Sequence, residues 1–66
     1  MFKKYRRTGI AEMRLYVHGE DLTGISVSMA DRPEITGGMI ARNPLNHKDQ
    51  WFVDRLYFEK NFEEVK

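Results

Sequence analysis

Sixty-six residues, 41% of them hydrophobic and 32% charged, allow one domain built on one small core. The chain has no cysteine, which excludes disulfides and thiolate metal sites and fits a reducing compartment, and no apolar run approaches the ~20 residues that span a bilayer. A net charge of +1 argues for solubility and against a dedicated nucleic-acid coat, and the aromatic content argues against general disorder.

The chain opens on a basic run, FKKYRR, from Phe2 to Arg7. No apolar segment follows it, so it does not read as a secretory signal. As a binding element it is an arm on which Lys3, Lys4, Arg6 and Arg7 neutralise phosphates while Tyr5 stacks on a base. As a plain structural element it is a solvated, partly frayed start to the first strand. Thr8-Gly9 allows a bend. Ala11, Met13, Leu15 and Val17 then alternate with Glu12, Arg14, Tyr16 and His18, which predicts a strand with one buried face. A helix is the competitor, but the run has no apolar stripe at helical spacing, and Gly9 and Gly19 bracket it.

His18-Gly19-Glu20-Asp21 reads as an exposed turn. Three potential ligands in one turn do not make a metal site without a further segment, so no metal is predicted. Leu22 to Ser28 reads as a second strand with Ile25 and Val27 inward. Met29 to Thr36 reads as a loop, in which Asp31 can form an Asx turn and Pro33 opposes a helix running through. Gly37-Gly38 lets the chain turn sharply into a third strand, Met39–Arg42.

The stretch GGMIARNPLNHKDQWFV organises the remainder. Arg42 to Trp51 reads as a polar loop around an Asn43-Pro44-Leu45-Asn46 turn, with Arg42 and Gln50 held on one surface beside Trp51. Pro44 fixes its own φ and restricts Asn43, while Asn46 can bond local backbone groups. Trp51-Phe52-Val53 reads as a fourth strand and Asp54 as a helix N-cap. Arg55–Asn61 follows as a short helix or 3₁₀ turn. Phe58, Phe62 and Val65 can share one helical face, and a closing strand over Phe62–Val65 is the alternative.

Catalytic signals are missing. Gly37-Gly38 lacks the spacing of a phosphate loop, and Ser26 or Ser28 with His18 or His47 has no nucleophile elbow. The acidic pairs Glu20-Asp21 and Glu63-Glu64 would face opposite ways on a strand. The reading is therefore a non-enzymatic chain without a cofactor.

KKYRRTGIAEMRLY at the start, GGMIARNP in the middle and DQWFVDRLYFEKNFEEV at the end resemble small proteins encoded in bacteriophages and prophages. Those begin on a K-Y-R-[KR] run that leads into a strand, and end on an aromatic strand, a Phe-Glu pair and a short aromatic-acidic close. The matching positions are Lys4-Tyr5-Arg6-Arg7, Ala11-Glu12, Trp51-Phe52-Val53, Phe58-Glu59 and Phe62-Glu63, and the likeness is weakest between Gly19 and Thr36. The resemblance implies a setting, a phage accessory protein in the bacterial cytoplasm, and no activity or functional residue. The end of the chain also resembles SH3-like barrels, where a tryptophan strand leads through a one-turn helix into a last strand.

The expected fold is mainly β: a small curled antiparallel sheet or SH3-like partial barrel with one short C-terminal helix. The expected core is Met13, Leu15, Ile25, Val27, Ile40, Phe52, Leu56, Phe58 and Phe62, with Met39 and Ile40 competing for the buried face of their strand. The expected function is non-catalytic binding of a host protein or small ligand through Arg42, Asn43, Asn46, Gln50 and Trp51. The alternative is nucleic-acid binding through Lys3, Lys4, Tyr5, Arg6 and Arg7, and a structural role in the virion is a third class. A twofold homodimer is expected because so small a sheet has few means of covering its edges.

Overall fold

The computed structural model describes residues 2–65. Its elements in chain order are β1 (Lys3–Arg6), β2 (Ile10–Leu15), β3 (Ile25–Ser26), α1 (Pro33–Thr36), β4 (Gly38–Asn43), β5 (Asn46–Asp54), α2 (Arg55–Asn61) and β6 (Glu63–Glu64). The six strands form one sheet in the order β3-β5-β4-β2-β1-β6. The fold is mainly β with a C-terminal helix, as the period-two alternation and the Asp54 cap predict. The sheet stays open, with β3 and β6 at separate edges, and it departs from the expected antiparallel arrangement in being mixed, because β3 runs parallel to β5.

The basic run is a strand in its own right rather than a frayed lead-in. It pairs with β2 through Tyr5↔Ala11 and Lys3↔Met13, and the Arg7 N–H donates to the Gly9 carbonyl across the connecting bend at 3.2 Å. The polar stretch after Pro44 is also strand. Only Pro44 and Leu45 form the turn, and β5 runs on through Asn46 to Asp54. Asn43 Oδ1 accepts from the Leu45 N–H at 2.9 Å and Asn46 Oδ1 from the Lys48 N–H at 3.2 Å, so both asparagines bind local backbone at the turn. Pro33 begins the short helix α1 at its first turn, where its missing N–H costs nothing, instead of keeping the segment irregular.

Period-two alternation sorts the side chains onto two faces. Ala11, Met13, Met39, Ala41 and Val53 form the core of one face, and Tyr5, Trp51, Phe58 and Phe62 pack against them. Helix α2 lies on this face, called here the helix face. Ile40 and Phe52 are buried on the opposite face, where the Tyr16 ring meets Phe52 edge-on at 5.9 Å between centroids. Met39 and Ile40 are thus both core, on opposite sides of a strand covered from both directions.

Two expected core residues are not core. Leu15 is 73% exposed, because it ends β2 beyond the reach of α2. Leu56 is 55% exposed, because it stands two positions from Phe58 and so points about 200° away from the sheet. Ile25 and Val27 are half-buried, since β3 is only two residues long.

Helix α2 opens as expected, with Asp54 Oδ2 accepting from the Leu56 N–H at 3.1 Å. It closes with the Phe62 N–H on the Phe58 carbonyl at 3.0 Å. Helix and closing strand both form, because β6 then pairs with β1 through Arg6↔Glu63 and Tyr5↔Glu64. At Gly38 a Cβ would collide with the Val53 carbonyl oxygen and stand 2.8 Å from the Phe52 ring.

Candidate binding cleft

Helix α2 has only seven residues and covers only part of its face of the sheet. Beside it an open cleft of about 730 Å³ remains. Ala11, Trp51 and Val53 line it from the sheet, and Tyr57 and Phe62 from α2 and its end. Arg7 and Thr8 on the β1–β2 bend, Asp31 on the connection after β3, Asn43 and Asp54 are its polar residues.

The sheet register explains the floor. Trp51 lies opposite Ala41, which lies opposite Met13, so small and flexible side chains leave the indole room on the helix face. Trp51 is half-buried, against the core on one side and lining the cleft on the other. Tyr57 is 45% exposed, and the Arg7 guanidinium carbon stands 5.3 Å from its ring centre. Asp31 is half-buried. Asp54 uses one carboxylate oxygen as the helix cap.

The opposite face carries the ion pairs of Glu12 and Glu20. Arg42 Nε donates to Glu12 Oε1 at 2.7 Å, and His47 Nε2 lies 3.2 Å from the same oxygen. The Arg42 hydrogen bond is the main cause holding the Glu12 carboxyl below the ordinary glutamate value. Arg14 grips Glu20 with both terminal nitrogens at 2.9 and 2.7 Å, and the Val17 N–H adds a third bond to that carboxylate at 2.6 Å. Glu20 is lowered chiefly by Arg14, and Arg14 is raised in return. The exposed turn expected at His18-Gly19-Glu20-Asp21 forms, with its tip at His18-Gly19, and Glu20 ties it to the end of β2. Arg42 also stacks on Phe2, with 3.8 Å from the guanidinium carbon to the ring centre.

The residues expected to form one binding surface are therefore divided. Arg42 pairs with Gln50 across the β4–β5 ladder on the ion-pair face, while Trp51 and Asn43 lie toward the cleft. The expected surface of Arg42 and Gln50 beside Trp51 does not form, because neighbours along a strand point to opposite faces. Asn46 is exposed at the turn, with its side chain on local backbone. The basic run is divided in the same way. Tyr5 packs edge-on against Phe58 at 5.0 Å, Arg6 reaches Glu63 at 3.3 Å, and Arg7 turns to Tyr57. Lys3 and Lys4 are exposed on opposite sides of β1.

Asp31, Tyr57 and Phe62 join the cleft without having been singled out as site residues in the sequence. Trp51 is the only one of the expected partner-binding residues with a local signal that leads there, as an aromatic on a strand with room beside it. Among the described residues no group of three His, Cys, Asp or Glu side chains is placed to hold a metal ion, and no helix is long and apolar enough to cross a membrane. No family model, curated protein or solved structure matches the chain.

Proposed function

We propose that the protein is a non-catalytic binding module that holds a small ligand, or a short piece of a partner protein, in the cleft beside α2. The observation that supports this reading is the cleft itself: about 730 Å³, with Trp51, Tyr57 and Phe62 in its lining, in a domain of 66 residues. Ligand sites of roughly 300–1,000 Å³ are typically apolar with a few polar groups, and this one has that make-up. The resemblance of both chain ends to phage and prophage proteins supplies the proposed setting, an accessory protein acting on a component of the bacterial cytoplasm.

The test is capture from bacterial lysate by the immobilised protein, with mass spectrometry for proteins and small molecules. Tyr57→Ala removes a cleft wall that is not core, and it should lower capture by about tenfold or more, the size of a hot-spot loss. Gln50→Ala and Asn46→Ala should leave capture unchanged. If those two abolish capture and Tyr57→Ala does not, the partner binds the hairpin and the cleft reading fails.

A further inference from the structure

Resting on that cleft reading, we propose that the bound group is a cation: a guanidinium or alkylammonium head seated against Trp51, between the carboxylates of Asp31 and Asp54. Three features carry this. The first is the aromatic lining. Trp51, Tyr57 and Phe62 all border the cleft, and aromatic ring faces attract cations, tryptophan most strongly.

The second is the charge balance. Glu12, Glu20, Glu59 and Glu63 each have a cationic partner. Asp31 and Asp54 have none among the described residues, as is true of Asp21, Glu34, Asp49 and Glu64, but these two alone of the six line the cleft and neither is fully exposed. Among the described residues the single cationic side chain of the cleft is Arg7, and it pairs with neither. Two carboxylates against one guanidinium leave the cleft net negative. Asp54 commits Oδ2 to the Leu56 N–H, and its other oxygen has no hydrogen bond among the described residues.

The third is Arg7 itself. Its guanidinium rests over the Tyr57 ring, so the cleft mouth already holds a group of the proposed chemistry against an aromatic face. Arg7 sits on an exposed bend and is bound there by no carboxylate of the described residues. An incoming cation would meet it as a like charge competing for the same aromatic wall. An anionic ligand would find Arg7 alone, opposed by two carboxylates.

The test uses the full chain and the emission and indole N–H resonance of Trp51, its only tryptophan. The probes are tetramethylammonium, N-acetyl-arginine methylamide, N-acetyl-leucine methylamide and inorganic phosphate. The two cations should bind at least ~3-fold more tightly than the leucine amide, the range set by one exposed cation–π contact, and should weaken as salt rises. Asp31→Asn and Asp54→Asn should each lower cation affinity by about 2- to 5-fold and leave the leucine amide unchanged. Asparagine caps a helix as well as aspartate does, so Asp54→Asn keeps α2. Arg7→Gln should raise cation affinity. Equal binding of cation and leucine amide would overturn the cation assignment while leaving the cleft as a binding site. Preferential phosphate binding, or weaker cation binding by Arg7→Gln, would overturn it as well. If no probe perturbs Trp51, the cleft reading itself fails.

Discussion

Gly38 shows how much one residue can decide. Its φ is 154° and its α-carbon lies so close to β5 that any Cβ meets the Val53 carbonyl and the Phe52 ring. A carbonyl in the sheet cannot give way as a flexible side chain can. Gly38→Ala should therefore destabilise the fold by about 2 kcal/mol or more, from strain together with steric displacement, as read by chemical denaturation. Gly19 has a positive φ but open space around it, so Gly19→Ala should cost only the backbone strain, about 1 kcal/mol.

The ion-pair face makes stability depend on pH. Glu12 and Glu20 both titrate below the ordinary 4.5 in the folded protein, the first because of Arg42 and the second because of Arg14. A depressed carboxyl contributes stability that is present above the unfolded value and is lost as pH falls through the folded value. The thermal midpoint should thus be flat above about pH 5 and fall on acidification below ~4.5. Glu20→Gln should lower the midpoint at pH 7 and flatten the acid limb. An acid limb unchanged in both Glu12→Gln and Glu20→Gln would show that these pairs do not set it.

Among the elements, α2 depends most on its ends. Seven residues are too few to be helical alone in water, so its cap and its aromatic contacts must hold it. Asp54→Ala removes the acceptor for the Leu56 N–H and should cost about 1 kcal/mol, whereas Asp54→Asn should cost little. Phe58 meets Tyr5 at 5.0 Å and Phe62 at 6.0 Å and joins helix to sheet. Phe58→Ala should cost about 3 kcal/mol or more.

At the scale of the molecule, the open sheet is compact. Its radius of gyration is 11.1 Å, near the ~11 Å expected for a folded chain of this length. Circular dichroism should show mostly strand, with helix well below about a third. The expectation of a twofold dimer has its physical footing at one end of β2, where Leu15 and Val17 are 73% and 61% exposed. They border a second hollow with Met13 and Met39. Light scattering at high micromolar concentration should report a dimer that Leu15→Lys converts to monomer. A monomeric parent chain would remove the expectation.

What the sequence determined by itself was local. Alternation from Ala11 to Val17 specified a strand, which ends at Leu15 and buries only Ala11 and Met13 of its apolar face, Asp54 specified a helix start, and Asn43-Pro44-Leu45-Asn46 specified a turn. Each depends on residues a few positions apart, so its signal lies within a single window. Tertiary structure decided the rest. Polar Asn46–Gln50 became strand because β4 offers a ladder to pair with, and a two-residue β3 found a parallel partner that no local pattern encodes. Arg42 was claimed by Glu12, 30 positions away, which took it from the surface it was expected to share with Trp51. The cleft is the strongest case: Arg7, Asp31, Trp51 and Tyr57 come from four separate segments. Only cross-strand register and the placement of α2 bring them together, and both are set by which apolar faces can be buried at once.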